Sequence, residues 1–225
     1  MLRSLLNLLY PNLCASCQEV LVKNENVICY NCLVDLPRSL YYQDIENPIA
    51  KLFWGKIKLE MALSAFTFIK KGKVQGLMHE LKYKGNTKVG ELLGIELGKE
   101  FDKAEIMDKV DVVVPVPLHK KKLKQRGYNQ SEFIAIGVAR VLNCEMNTNL
   151  LKRMEHSESQ TKKSKYERWE NVGAAFTLTD SNQYIGKHIL LVDDVVTTGA
   201  TLEACCKKLE EIEGVKLSIG TLASS

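Results

Sequence analysis

The sequence predicts an α/β protein, a parallel sheet with helices on both faces, preceded by a small four-cysteine module. Three observations carry this. Ile189-Leu190-Leu191-Val192 is an unbroken apolar run that turns abruptly acidic at Asp193-Asp194, as a strand buried on both faces of a parallel sheet would be. Val110-Asp111-Val112-Val113-Val114-Pro115-Val116-Pro117 is a second apolar run, ended by prolines. Helical patterns fall between such runs, giving the order β-α-loop-β-α-β from Val110 onward and hence right-handed crossovers.

The elements follow in order. Met1 to Leu13 is apolar but short and is interrupted by Asn7, Pro11 and Asn12, so neither a signal peptide nor a membrane span is expected. Leu2, Leu5, Leu6 and Leu9 share one face of an expected amphipathic helix. Two Cys-x-x-Cys pairs come next. Leu33 to Lys58, with Pro37 and Pro48, reads as a connection. Met61 to Ile69 is a predicted strand and Lys70-Lys71-Gly72 a turn. Val74 to Tyr83 and Val89 to Phe101 are predicted helices, separated by Gly85-Asn86. Leu118 to Ser131 reads as a basic loop and Ser131 to Leu142 as a helix. Asn147 to Val172 is polar and irregular. After the acidic strand come a helix from Ala200 to about Ile212 and a last strand near Val215 to Leu222.

The 225 residues allow one main domain and a small module. The expected division is 1–55 for the module with its connection and 56–225 for the α/β domain. Hydrophobic content of 45% and charged content of 26% are those of a soluble globular protein. The net charge of +4 is mild, so the distribution of charge matters more than its total.

Cys14-Ala15-Ser16-Cys17 and Cys29-Tyr30-Asn31-Cys32 have the spacing of a tetrahedral zinc site with four thiolate ligands. Such a zinc is structural, because no coordination position is left open. Two disulfides are the rival, and they need an oxidising compartment; nothing points to export, so a cytoplasmic location is expected. A redox Cys-x-x-Cys is a weaker rival, since one pair would suffice. Cys144, Cys205 and Cys206 read as small packing residues.

Asp193-Asp194-Val195-Val196-Thr197-Thr198-Gly199-Ala200-Thr201 joins a strand end to a helix start. A helix N-terminus offers unpaired N–H groups and a positive dipole end to a phosphate. Thr197, Thr198 and Thr201 add hydroxyls, and Gly199 permits close backbone approach. Two carboxylates can accept hydrogen bonds from sugar hydroxyls or hold a hydrated Mg2+. The alternative is a buried strand whose carboxylates merely cap the next helix. The pattern resembles the signature of type I phosphoribosyltransferases. There the acidic pair contacts the ribose hydroxyls of phosphoribosyl pyrophosphate (PRPP), and the loop holds its 5′-phosphate.

His119, Lys120, Lys121, Lys122, Leu123, Lys124, Gln125 and Arg126 follow the proline-ended strand. The simplest reading is a solvated charged surface. In type I phosphoribosyltransferases the equivalent loop holds the pyrophosphate, which needs positive charge as it leaves. His119, Lys120 and Arg126 are candidates for this role, with Arg126 able to bind phosphate bidentately. The polar segment carries Arg153, Ser157, Gln160, Thr161, Arg168 and Asn171. Its length fits a binding loop. The resemblance makes it a loop that closes over PRPP, with Gln160 and Arg168 as contacts.

Further motifs recur in one order: the cysteine pairs, Leu81-Lys82-Tyr83-Lys84-Gly85-Asn86, Val114-Pro115-Val116-Pro117-Leu118-His119, Arg126-Gly127-Tyr128-Asn129-Gln130 and Asn171-Val172-Gly173-Ala174-Ala175-Phe176. Together they resemble the ComF/ComFC family of competence-associated, phosphoribosyltransferase-like bacterial proteins, over nearly the whole chain. Ser157 and Lys163 depart from the threonine and leucine expected. The resemblance implies a type I phosphoribosyltransferase-like sheet, PRPP and Mg2+ binding, a zinc module, and single-stranded DNA and competence proteins as partners. Two functions follow. One is a phosphoribosyltransferase in which Asp193 and Asp194 position the ribose and stabilise its developing charge. The other is a non-catalytic, nucleotide-sensing protein that handles DNA through Lys82, Lys84, the Lys120–Arg126 cluster and the module. No acceptor pocket is legible.

Overall fold

The computed structural model of the protein describes residues 11–104, 109–154 and 175–224. Seven strands are present among them: β1 (Met61–Thr67), β2 (Val112–Pro115), β3 (Glu145–Met146), β4 (Leu151–Arg153), β5 (Phe176–Leu178), β6 (His188–Val196) and β7 (Lys216–Ser224). Five form a parallel sheet in the order β1-β7-β6-β2-β3, while β4 and β5 pair antiparallel as a separate ribbon. The α-helices are α1 (Tyr30–Val34), α2 (Pro48–Lys51), α3 (Lys73–Tyr83), α4 (Thr87–Asp102), α5 (Lys120–Arg126), α6 (Gln130–Leu142) and α7 (Ala200–Leu209).

The expected α/β architecture is present, and the period-two alternation of strands builds both of its layers. Leu190 and Val192 of β6 face one way with Val113, against Leu93 and Leu97 of α4 and Ile134 and Val138 of α6. Ile189 and Leu191 face the other way with Val112 and Val114, against Leu202, Cys205, Cys206 and Leu209 of α7. The sheet centre is therefore dry on both sides, which is why its strands read as apolar runs rather than as alternating ones. Cys205 and Cys206 are fully buried in this packing. In the register, Val112 stands beside Ile189 and Pro115 beside Val192. The carboxyl ends of β2 and β6 thus open onto one edge, where ligands of such sheets bind.

The α4–α6 crossing fixes where α6 begins. A methyl group on Gly94 would come within 2.1 Å of the Ile134 carbonyl oxygen, and one on Gly137 within 2.2 Å of that of Glu91. Backbone packs on backbone there, so a larger residue at either position would force the helices apart.

Several expectations need correction. The basic segment is a helix, α5, and not a loop. Lysine, glutamine, leucine and arginine are good helix formers. His119 Nδ1 caps the first turn by accepting the Lys121 amide at 3.1 Å, and Gly127 ends the helix at φ +84°. The stretch from Asn147 is irregular only in part, because Leu151–Arg153 pairs with Phe176–Leu178. The connection is part of the core: Ile49, Phe53 and Ile57 pack among Leu202, Leu209 and Ile219. Arg38, on the same connection, is ion-paired with the buried Glu96 and, at 3.5 Å, with the buried Glu100 of α4. The proposed leucine face of residues 1–9 lies outside the described residues.

Candidate functional site

The acidic pair stands at the carboxyl end of β6. Asp194 is buried, and the Asp193 carboxyl is enclosed although its residue keeps some exposed surface. Asp193 Oδ1 accepts the Ser131 hydroxyl at 2.9 Å and the Asp194 amide at 2.8 Å. Asn129 caps α6 by accepting the Ser131 amide, and its own amide group donates to the Val116 carbonyl at 3.0 Å. Thus the end of β2, the start of α6 and the end of β6 are joined by hydrogen bonds. Asp194 Oδ2 lies 2.9 Å from the ammonium of Lys82, at the end of α3. Burial, and then the charge of Asp194, push the Asp193 carboxyl up to about 7, against the pull of its donors and of Lys82.

Thr197 and Thr198 are exposed in the loop beyond the pair. Gly199 turns it at φ +76° and, having no side chain, leaves the first turn of α7 to the Thr198 hydroxyl, which accepts the Ala200 amide at 3.5 Å. An added Cβ at Gly199 would lie 3.1 Å from the Phe53 ring. Glycine is therefore required both for backbone conformation and for space. A cleft of about 60 Å³ is lined by Asp193 and residues 195–202. Val196 is buried, so this position contributes backbone and packing rather than an exposed side chain. Ala200 and Thr201 are exposed at the helix start.

A second cavity, of about 190 Å³, lies between α3 and α5, lined by Lys82, Tyr83, Lys122, Gln125, Arg126 and Tyr128 together with Gly85. Arg126 hydrogen-bonds the Gln130 side chain, and its guanidinium sits 5.6 Å from the centre of the Tyr83 ring. The Tyr128 hydroxyl donates to the Leu81 carbonyl and ties the end of α3 to this wall. Lys82 belongs to both places, pairing with Asp194 and lining the basic cavity. Lys120 is exposed at the start of α5. Lys84, which the sequence groups with Lys82 on a phosphate-contacting surface, pairs with Glu80 at 2.7 Å.

Of the sequence-predicted residues, Asp193 to Thr201 form one continuous rim, and His119, Lys120 and Arg126 lie along one helix beyond the end of β2. Gln160 and Arg168 lie outside the described residues. The sequence reading missed Ser131 and Asn129 as supports of the acidic pair. Their signal was the Asn-x-Ser start of α6 directly beyond a strand that ends on the same edge.

The four cysteines also converge. Their sulfurs all lie within 4.8 Å of one another, and those of Cys17 and Cys29 are 3.8 Å apart. A tetrahedron of thiolates around zinc, with bonds of about 2.3 Å, has edges of about 3.8 Å. The spacing is far too long for a disulfide, and all four are free thiols. The first pair sits in a turn closed by Gln18 N–H to the Cys14 carbonyl, and the second spans the start of α1, where Cys29 accepts the Cys32 amide. Burial works against the Cys14 thiolate, yet the amides of Cys17, Cys29 and Ser16 bring it down to about 6. Against the Glu19 amide, desolvation and the neighbouring thiols push Cys17 up to about 12. Four thiolates there need a cation, so the cluster is one that can hold a metal.

The phosphoribosyl transferase domain model matches residues 129–224, the stretch from the Asn129 cap to the last strand. Competence protein F of Haemophilus influenzae is 33% identical over 114 residues, 50% of this chain and 50% of its own. Competence protein ComFC of Bacillus subtilis is 28% identical over 215 residues, 94% of this chain and 84% of its own. The DNA utilization protein YhgH of Escherichia coli K12 is 32% identical over 129 residues, 56% of each. The chain thus spans about half the length of Competence protein F and of YhgH. A relative aligned along nearly the whole chain, two aligned over about half of it, and a domain match across the acidic rim agree in supporting the ComF/ComFC family, with a type I phosphoribosyltransferase-like domain.

Proposed function

We propose that the protein binds PRPP as its Mg2+ complex and transfers the phosphoribosyl group to an acceptor, as part of handling single-stranded DNA during natural transformation. The observation that carries this is the juxtaposition of an enclosed acidic pair, a helix start capped only by a long bond from Ala200 to the Thr198 hydroxyl, and a basic cavity on one sheet edge. Asp193 and Asp194 accept the ribose 2′ and 3′ hydroxyls. Residues 195–201 receive the 5′-phosphate through backbone N–H groups and threonine hydroxyls. His119, Lys120 and Arg126 face the diphosphate. Gln160 and Arg168, outside the described residues, are assigned as further PRPP contacts on the family resemblance alone.

In transfer, the bond from C1 to the diphosphate oxygen breaks and its electron pair leaves with pyrophosphate. A lone pair of the acceptor forms the new bond to C1, and the acceptor releases its proton. The carboxylates stabilise the positive charge that develops on the ribose between these events. Their hard oxygens also suit a hydrated Mg2+, whose charge offsets that of the diphosphate. The cysteine cluster we assign to structural zinc, on the tetrahedral sulfur spacing. Reduced thiols accord with a cytoplasmic location, and no helix among the described residues is long and apolar enough to cross a membrane.

Saturating Mg2+–PRPP should raise the melting temperature, by about 2.7 kcal/mol of stabilisation at a hundredfold excess over Kd. Asp193→Asn with Asp194→Asn should abolish that shift, and an unchanged shift would remove the pair from the site. Pyrophosphate release with a panel of bases, amines and DNA then tests turnover. Binding without release under every acceptor would favour the non-catalytic sensor. The DNA role rests on the exposed lysines 121, 122 and 124 of α5 and on the names of the relatives. Replacing all three with glutamine should flatten the salt dependence of single-stranded DNA binding, by about 0.7 in slope for each phosphate no longer neutralised.

A further inference from the structure

Lys82 is the one described residue that both pairs with the acidic couple and lines the basic cavity. Its ammonium stands 2.9 Å from Asp194 Oδ2, and its side chain is mostly covered. Yet that oxygen makes no hydrogen bond of acceptable geometry among the described residues. The pair is held by charge and not by a well-directed bond, so the carboxylate keeps lone pairs for another donor. The lysine stem is flexible, with three rotatable donors on its head. Lys122 and Arg126 line the same cavity as Lys82, and among the cavity's lining residues there is no carboxylate.

We propose that Lys82 is a positioning residue that serves the two halves of the site in turn. Without ligand it neutralises Asp194 beside Asp193. When sugar hydroxyls take over the carboxylate, the ammonium turns toward the basic cavity and contacts the diphosphate. This rests on the PRPP reading above and adds a residue that the strand-loop-helix signature does not contain. It also accounts for a lysine that a separate helix brings to 2.9 Å from one member of an acidic pair. Two adjacent carboxylates need a cation while the site is empty, and a fixed cation would compete with the ligand.

The test uses the full-length, metal-loaded protein and three probes with Mg2+: PRPP, inorganic pyrophosphate and ribose 5-phosphate. Lys82→Gln should weaken pyrophosphate about tenfold or more, the loss of one charge-assisted hydrogen bond. Lys82→Arg should restore much of it, and Lys73→Gln, at the opposite end of α3 and paired with Asp35, should change nothing. Pyrophosphate affinity unchanged in Lys82→Gln overturns the proposal and leaves Lys82 as a counter-ion only, whatever ribose 5-phosphate does. If Lys82→Gln unfolds, the same comparison is made between Asp194→Asn and Asp194→Asn with Lys82→Gln, where no buried charge is stranded. Equal pyrophosphate affinity in those two also overturns it. If the parent protein binds neither PRPP nor pyrophosphate, the PRPP reading itself fails and this proposal falls with it.

Discussion

The cysteine module and the acidic strand end both crowd groups of one charge, but different forces hold them there. The four thiols are gathered by turns, a single Leu13–Val20 bridge and a five-residue helix, and Cys17, Val20 and Val22 are exposed. The two carboxylates project from a nine-residue strand whose Ile189, Leu190, Leu191 and Val192 are fully buried, and Ser131 and Lys82 approach from separate helices. The module buries few apolar side chains of its own, and Ile28 and Leu36, with Cys14 and Cys32, rest on the sheet's core cluster rather than forming a separate one. The acidic rim inherits its geometry from the sheet. Loss of metal should therefore disorder the first region, while loss of ligand should leave the second standing.

The largest effect expected is on the module. Metal binding in such sites contributes on the order of 10 kcal/mol to local folding. Chelation, or Cys14→Ser, should abolish stoichiometric zinc and bring the amides of residues 12–34 to exchange rates near those of an unfolded chain. The sheet amides should stay protected. Protected module amides in the metal-free protein would erase the contrast.

Next comes the loop. Gly199→Val meets both a positive φ and the Phe53 ring, and should cost about 1–3 kcal/mol in chemical denaturation. A variant as stable as the parent would show that the loop is softer than the strand that carries it.

The third expected effect is a pH dependence of the rim. The Asp193 carboxyl, pushed up to about 7 first by burial and then by Asp194, binds its proton more tightly folded than unfolded. Its stabilising contribution is whole below the ordinary carboxylate value of about 4. It is lost as pH climbs toward about 7. Stability of Asp193→Asn relative to the parent should therefore rise across that window and then level off, measured without ligand. A flat difference would mean that Asp193 titrates as an ordinary surface carboxylate.

How much of this is legible in the sequence depends on how far apart the partners lie. The acidic rim and the cysteine pairs can be read because their working residues are contiguous, or nearly so. Ser131 cannot be paired with Asp193, 62 residues away, because nothing local in either segment encodes the meeting. Lys82 reads as one member of a surface cluster, and only the docking of α3 through Tyr128 and Leu81 shows that it faces inward. The basic segment reads as a loop because its charge masks its helix propensity. Its end signals, His119 and Gly127, become clear once the capping geometry is seen. The connection disguises its core residues because Ile49, Phe53 and Ile57 stand among further apolar residues, Ala50, Leu52 and Trp54, so no clean polar face marks the side that is buried.

The Phe53–Gly199 contact has a consequence for taking the protein apart. The ring under the turn of the threonine loop comes from chain that precedes the sheet's first strand, and Lys56, three residues on, pairs with Glu203 at 3.4 Å. A fragment cut to begin at the first strand would keep every residue of the acidic rim and lose the surface on which its loop rests. Chimaeras that exchange the front of the chain between relatives should therefore be joined upstream of residue 48, so that floor and loop are inherited from one parent.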